Sequence, residues 1–181
     1  MTNVFELPPS PLVDYLGILE KGDIVETTPL GIGAISSLVT FKDGVRALFS
    51  PSVSPLELAV FWIDNLLGFG LVPEVARRSV NEQEGLVKHL ILAARPAVYY
   101  KVWEDMVEPY EILKAAVLDY ILDSRDRRRE NFLVDEKSRR LWLINNDYYM
   151  LLSSFNRHDI LDTAISKGLT TLPDDLLSSV D

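Results

Sequence analysis

Ser124-Arg125-Asp126-Arg127-Arg128-Arg129-Glu130-Asn131-Phe132-Leu133-Val134-Asp135 is the stretch on which the reading of this chain turns. It follows an apolar run, EILKAAVLDYIL (111–122), that is hydrophobic nearly all round and so reads as a central helix. It leads into two short β-runs, NFLVD (131–135) and LWLI (141–144), joined by a polar turn at 136–140. Asp126 and Asn131 are five residues apart. That is the Asp-x-x-x-x-Asn spacing of a phosphoryl-transfer loop, in which the carboxylate orients a hydroxyl and the amide oxygen ligates a metal without adding charge. Residues 125–140 carry seven of the 18 basic residues and four acidic ones, in a chain of net charge −9. Arginines there would compensate phosphate charge. The plainer reading is a polar loop whose Asp and Asn bond their own backbone.

Upstream, the texture is different. Residues 1–11 hold Pro8, Pro9 and Pro11 and are expected to form an extended arm, and LVDYLGILE (12–20) to form a short helix. Strands are expected near 23–28, 35–41 and 45–50, with Asp43-Gly44 as a hairpin turn. Ser54-Pro55-Leu56-Glu57 reads as a helix start, with Ser54 as N-cap and Glu57 closing a capping box; this helix should run to about Leu67. Two further strands, 75–80 and 86–92, flank a turn at 81–85. A helix is expected over 97–107, and one or two more in the tail, 156–181. Trp62, Trp103 and Trp142 read as core anchors. His89 reads as a core or edge residue and His158 as surface. Arg127 should be packed, with Arg128 and Arg129 exposed.

In this order and spacing the motifs resemble a known group. Gly44-Val45-Arg46-Ala47-Leu48-Phe49-Ser50-Pro51 is similar to a third strand ending in Tyr-Lys-Pro. Glu57-Leu58-Ala59-Val60-Phe61 and Leu67-Gly68-Phe69-Gly70-Leu71-Val72-Pro73 are similar to a Glu-Val-Ala-Ala-Tyr helix with a Leu-Gly-x-x-x-Val-Pro exit. Asp126 to Val134 is similar to Asp-Arg-x-x-x-Asn-x-Leu-Val, and Leu141 to Asn146 to Leu-x-x-Ile-Asp-Asn. Over about residues 23–150 the chain thus resembles the bacterial phosphatidylinositol 3-/4-kinase-related group of the protein-kinase-like superfamily, distantly HipA-like.

The resemblance implies an α+β, minimal bilobal kinase-like fold. A small β-rich lobe would span 12–92, a hinge-like connector 93–96 and a helical lobe 97–181. It implies a phosphotransferase using ATP and magnesium on a hydroxyl acceptor, protein or small molecule. Asp126 would be the catalytic residue. Gly31, Gly33, Glu57 and Leu92 would border the nucleotide, and Asn131, Asn145 and Asp147 would hold metal. Two departures stand out: Ser50 replaces the ATP-binding lysine, and Asn145 replaces the metal-binding aspartate. Lys42 and Arg46 are the nearby candidates for the lost cation. The departures raise the alternative of a pseudokinase, acting as a nucleotide-binding or protein-interaction regulator. For Glu57 the capping role competes with any role toward a lysine.

Composition bounds the partners. With no cysteine and only two histidines, thiolate and histidine-rich metal centres are excluded. An acidic chain argues against general nucleic-acid binding and against anionic membrane surfaces. The N-terminus has no signal-peptide pattern and no apolar run long enough to span a bilayer, so a cytoplasmic protein is expected.

Overall fold

The computed structural model describes residues 13–31, 35–124, 126–146, 157–169 and 171. The expected arm (1–11), Gly33 and Asp147 lie outside these residues, as do the side chains of Asp126 and His158.

The chain opens with helix α1 (Tyr15–Lys21), capped by the Asp14 side chain, which accepts from the Gly17 amide. Strands β1 (Ile24–Pro29), β2 (Ser37–Phe41) and β3 (Arg46–Ser50) follow, then helix α2 (Pro55–Leu66), then β4 (Val75–Val80) and β5 (Gln83–His89). These five strands form one antiparallel sheet in the order β1-β2-β3-β5-β4. The β2–β3 turn is the Asp43-Gly44 one: Gly44 takes φ +80°, which a side chain would resist. The β4–β5 turn is tighter than the five residues expected. Asn81 and Glu82 both enter the left-handed region, as a two-residue hairpin turn of matching twist requires, and the strand resumes at Gln83. Gly85 therefore falls inside β5, where a Cβ would lie 2.2 Å from the Ser50 carbonyl oxygen. Glycine is what lets the end of β3 pass so close.

Helix α2 lies after β3 and turns Glu57, Val60, Phe61 and Asp64 inward, a 3-and-4 spacing that defines its buried face. Trp62 falls outside that stripe and is 50% exposed, so it is no core anchor. Trp103, by contrast, is fully buried and packs edge-on against Phe132 at 4.8 Å. The expected capping box is also absent: the Ser54 side chain makes no cap hydrogen bond. At the far end, the buried Asp64 carboxylate accepts from the Leu71 and Val72 amides at 2.9–3.1 Å, closing the glycine-flanked turn at 68–70.

The second half begins with β6 (Arg95–Pro96) and two single 3-10 turns, Ala97–Tyr99 and Trp103–Asp105, in place of the helix expected over 97–107. Aromatic and β-branched residues there are weak helix formers, and the Val98 amide donates outside the segment, to the Arg129 carbonyl. Helix α3 (Pro109–Ile121) is buried along most of its length, as its composition implies. Beyond it come β7 (Asp126–Arg127), β8 (Phe132–Asp135) and β9 (Arg140–Leu143). β6, β8 and β9 form a small antiparallel sheet. The β8–β9 turn is fixed by Asp135, whose carboxylate accepts from the Lys137 and Ser138 amides. β10 (Arg157–His158) pairs parallel to β7, and α4 (Asp159–Ser166) packs on α3.

Apolar residues divide between two clusters. One, with Leu19, Val39, Phe41 and Val87, holds α1 to one face of the large sheet. The other runs from Val60 and Phe61 on α2, through Val75 and Leu86, to Ile112 and Leu118 on α3 and Phe132 and Leu141 on the hairpin. The two halves of the chain thus share one continuous core. Among the described residues, no helix is long and apolar enough to cross a membrane.

Candidate functional site

A cavity of about 190 Å³ opens between the large sheet and the β8–β9 hairpin. Leu48 and Val75 line it from the sheet, Leu133 and Leu143 from the hairpin, and Leu90 and Ile91 from the connecting chain. Its polar lining is Glu57 from α2, Lys88 and His89 from β5, and Asn145 and Asn146 from the segment after β9.

Glu57 is not spent on capping. Both its carboxylate oxygens accept from Lys88 Nζ, at 2.8 and 3.0 Å, and the carboxylate is nearly buried. The lysine comes from β5. Alternation along that strand puts Leu86 and Lys88 on one face and Val87 and His89 on the other, Leu86 joining the shared core and Val87 the α1 cluster. Lys42 and Arg46, the expected substitutes for the missing lysine, are exposed residues at the β2–β3 hairpin and do not border the cavity. A signal for Lys88 was present in the sequence: a lone cation inside the apolar run Leu86 to Leu92, at the parity of Leu86.

At the opposite wall, Asn145 donates through Nδ2 to Asn131 Oδ1 at 3.2 Å. Asn145 holds φ +55°, a left-handed conformation that asparagine tolerates better than most residues. Asn131 is buried behind it, 5% exposed. Both are positioned by Arg127, which is 1% exposed. Its guanidinium donates to the Asp119 carboxylate on α3, to the Asn131 and Ile144 carbonyl oxygens, and to Asn146 Oδ1 at 2.9 Å. One buried cation thus fixes helix, loop and post-hairpin segment together. Arg127 is packed as expected and Arg128 is exposed, while Arg129 is half-buried.

Asp126 is placed by its backbone in β7, beside Arg157 of β10, and its carboxylate lies outside the described residues, as does Asp147. Two expected nucleotide contacts are not at the cavity. Leu92 is 68% exposed, because the chain turns at 92–93 and throws it outward; Leu90 and Ile91 hold the cavity edge instead. Gly31 is an exposed bend after β1, with no atom within 4 Å of where a Cβ would be, and it does not line the cavity.

His89 stands at the cavity's far edge. Its Nδ1 is 2.7 Å from Glu74 and its ring stacks on Tyr15 at 4.1 Å. Burial would raise the Glu74 carboxyl, but the His89 hydrogen bond, its own peptide amide and the charges of His89 and Arg140 outweigh it and hold it below its ordinary value. The Asp64 carboxyl goes the other way: burial raises it despite the two amides it accepts from.

These elements define a molecule of protein-kinase-like fold: a five-stranded antiparallel sheet with one helix, a mainly helical half, and a cleft between them. Among solved structures it is similar to the Golgi casein kinase, at 13% sequence identity and a TM-score of 0.53, over 91% of this chain and 63% of that one. The likeness is one of fold, and this chain spans less than two thirds of that chain's length. No protein-family model matches the chain, and no curated protein matches it.

Kinase-like folds imply a magnesium ion. The described donors at its place are two neutral amides, one donating to the other, whereas magnesium is ordinarily held through at least one carboxylate. Among the described residues there is no cluster of three carboxylate or histidine groups. The described part of the donor set, which leaves out Asp147 and the Asp126 carboxylate, thus lacks the carboxylate that the ion ordinarily takes.

Proposed function

We propose that the cleft binds a purine nucleotide, ATP being the expected one, and that the protein is a kinase-like phosphotransferase or its non-catalytic counterpart. The observation that carries this reading is Asn145, bonded to Asn131 behind it, at the wall of an apolar cavity whose far side holds the Glu57–Lys88 ion pair. A cavity of about 190 Å³ is smaller than the ~300–1,000 Å³ of pockets that enclose whole ligands, so it suits the flat base. Ribose and phosphates would extend toward the polar residues.

In the catalytic reading, Asp126 orients a hydroxyl of a protein or small-molecule acceptor. Catalysis of this kind is mostly positioning and charge neutralisation. The motif order, from Gly44 to Asn146, supports a place near the bacterial phosphatidylinositol 3-/4-kinase-related group within the fold. The acidic surface disfavours lipid as acceptor, and a cysteine-free chain suits a cytoplasmic setting. Asn145 favours the second reading, a pseudokinase that binds nucleotide as a regulator. Its neutral amide stands where the resemblance implies a carboxylate, and it donates to the Asn131 oxygen.

A thermal-shift titration with ATP, with and without magnesium, tests binding, because a ligand that binds only the folded state raises the midpoint. No shift in either condition overturns nucleotide binding. Turnover of γ-labelled ATP, with Asp126→Ala as control, separates the two readings. A drop on the order of 100-fold or more in the variant supports catalysis, and equal background in both leaves the regulator.

A further inference from the structure

Ser50 cannot supply a cation to a nucleotide, and the two residues nearest to it in sequence that could, Lys42 and Arg46, are exposed and do not line the cavity. The sheet register points to a replacement. Ser50 faces Leu86 and Leu48 faces Lys88 across the β3–β5 ladder. Residues directly opposite share a sheet face, so Lys88 lies on the face of Ser50, one diagonal step away, roughly 7–8 Å by ordinary sheet geometry. A lysine stem covers that displacement. Lys88 Nζ reaches the Glu57 carboxylate on the first turns of α2, and both side chains line the cavity.

We infer that Lys88 is the phosphate-binding cation of this cleft, its function having moved from β3 to the neighbouring strand, with Glu57 as the residue that positions it. This rests on the nucleotide reading above. Lys88 is only partly exposed, and Glu57 is nearly buried. A buried carboxylate needs a partner, so the ion pair fixes the ammonium's place before a ligand arrives. One charge of the lysine then serves two anions, as its three donors allow. Among the described residues that line the cavity, Lys88 is the side chain with a permanent positive charge, so this ammonium carries the charge compensation of the phosphates there.

The test is calorimetric titration of the full chain with ATP, ADP and adenosine, in EDTA and in magnesium. Adenosine presents the base without phosphates. Lys88→Met should weaken ADP and ATP by about tenfold or more, as removal of a charge-paired partner does. Adenosine, which lacks the phosphates, should change by less than about twofold. Lys88→Arg should retain part of the ADP affinity. The double variant Ser50→Lys/Lys88→Met should recover it, because it returns the ammonium to the strand it left. Should Lys88→Met unfold, Glu57→Gln/Lys88→Met removes the orphan carboxylate and is read in its place. Unchanged ADP affinity in Lys88→Met, or an equal loss of adenosine, overturns the inference and leaves Lys88 a structural partner of Glu57. A wild-type chain that binds adenosine and ADP equally well also overturns it, while leaving nucleotide binding in place. Absence of all binding by the wild type overturns the underlying reading as well.

Discussion

Arg127 shows how much a single residue can organise. Its guanidinium is nearly inaccessible and donates to four residues on three segments of chain, and the Asp119 carboxylate it pairs with is equally buried. Removing one partner of such a pair leaves an uncompensated buried charge. Arg127→Met should therefore cost about 3–5 kcal/mol, read from urea unfolding. Asp119→Asn/Arg127→Met, which removes both charges, should recover part of that loss. Glu74 makes a pH-dependent contribution whose sign follows from its lowered carboxyl. The folded chain holds that proton less tightly than the unfolded chain, whose value is near 4.5. The contribution is thus present above pH 4.5 and is lost as pH falls through the folded value. Unfolding midpoints of wild type and Glu74→Gln should differ at neutral pH and converge on acidification below that point.

At the scale of elements, what could be read in advance followed local chemistry. The Asp43-Gly44 turn, the start of α2 at Pro55 and the apolar α3 all lie where propensity and turn residues put them, within a residue or two. So did the β8–β9 hairpin after the arginine-rich loop. The misreadings arose where a long-range partner outweighed a local one. Glu57 at the third helical position has a capping role available, yet a lysine thirty-one residues later takes both its oxygens. Residues 97–107 read as a helix, but the Val98 amide is drawn to the loop at Arg129 and the segment closes only single 3-10 turns. Trp62 is large and apolar, and only the phase of α2 decides that it faces water. For the site, the meeting of Asn131 and Asn145 was legible because spacing and hairpin position are local properties. Lys88 showed only as a cation in an apolar run, since its pairing with Glu57 depends on which elements pack against β5, and that is not written in any short window.

For the whole molecule, a sheet-bearing half and a helical half meet in one interior. Apolar contacts pass from α2 through the sheet to α3 and the hairpin without a polar break. Heating should therefore produce one cooperative transition, with calorimetric and van't Hoff enthalpies in agreement, instead of two separate melts. Two resolved peaks in scanning calorimetry would show that the halves fold independently.

That shared interior has a practical corollary for anyone dissecting the protein. A cut between Leu92 and Pro96 would expose Val75, Leu86 and Phe61 on one fragment and Ile112, Phe132 and Leu141 on the other, each sticky and without its counterpart. Neither fragment would survive expression by itself, and mixing the two should rescue both.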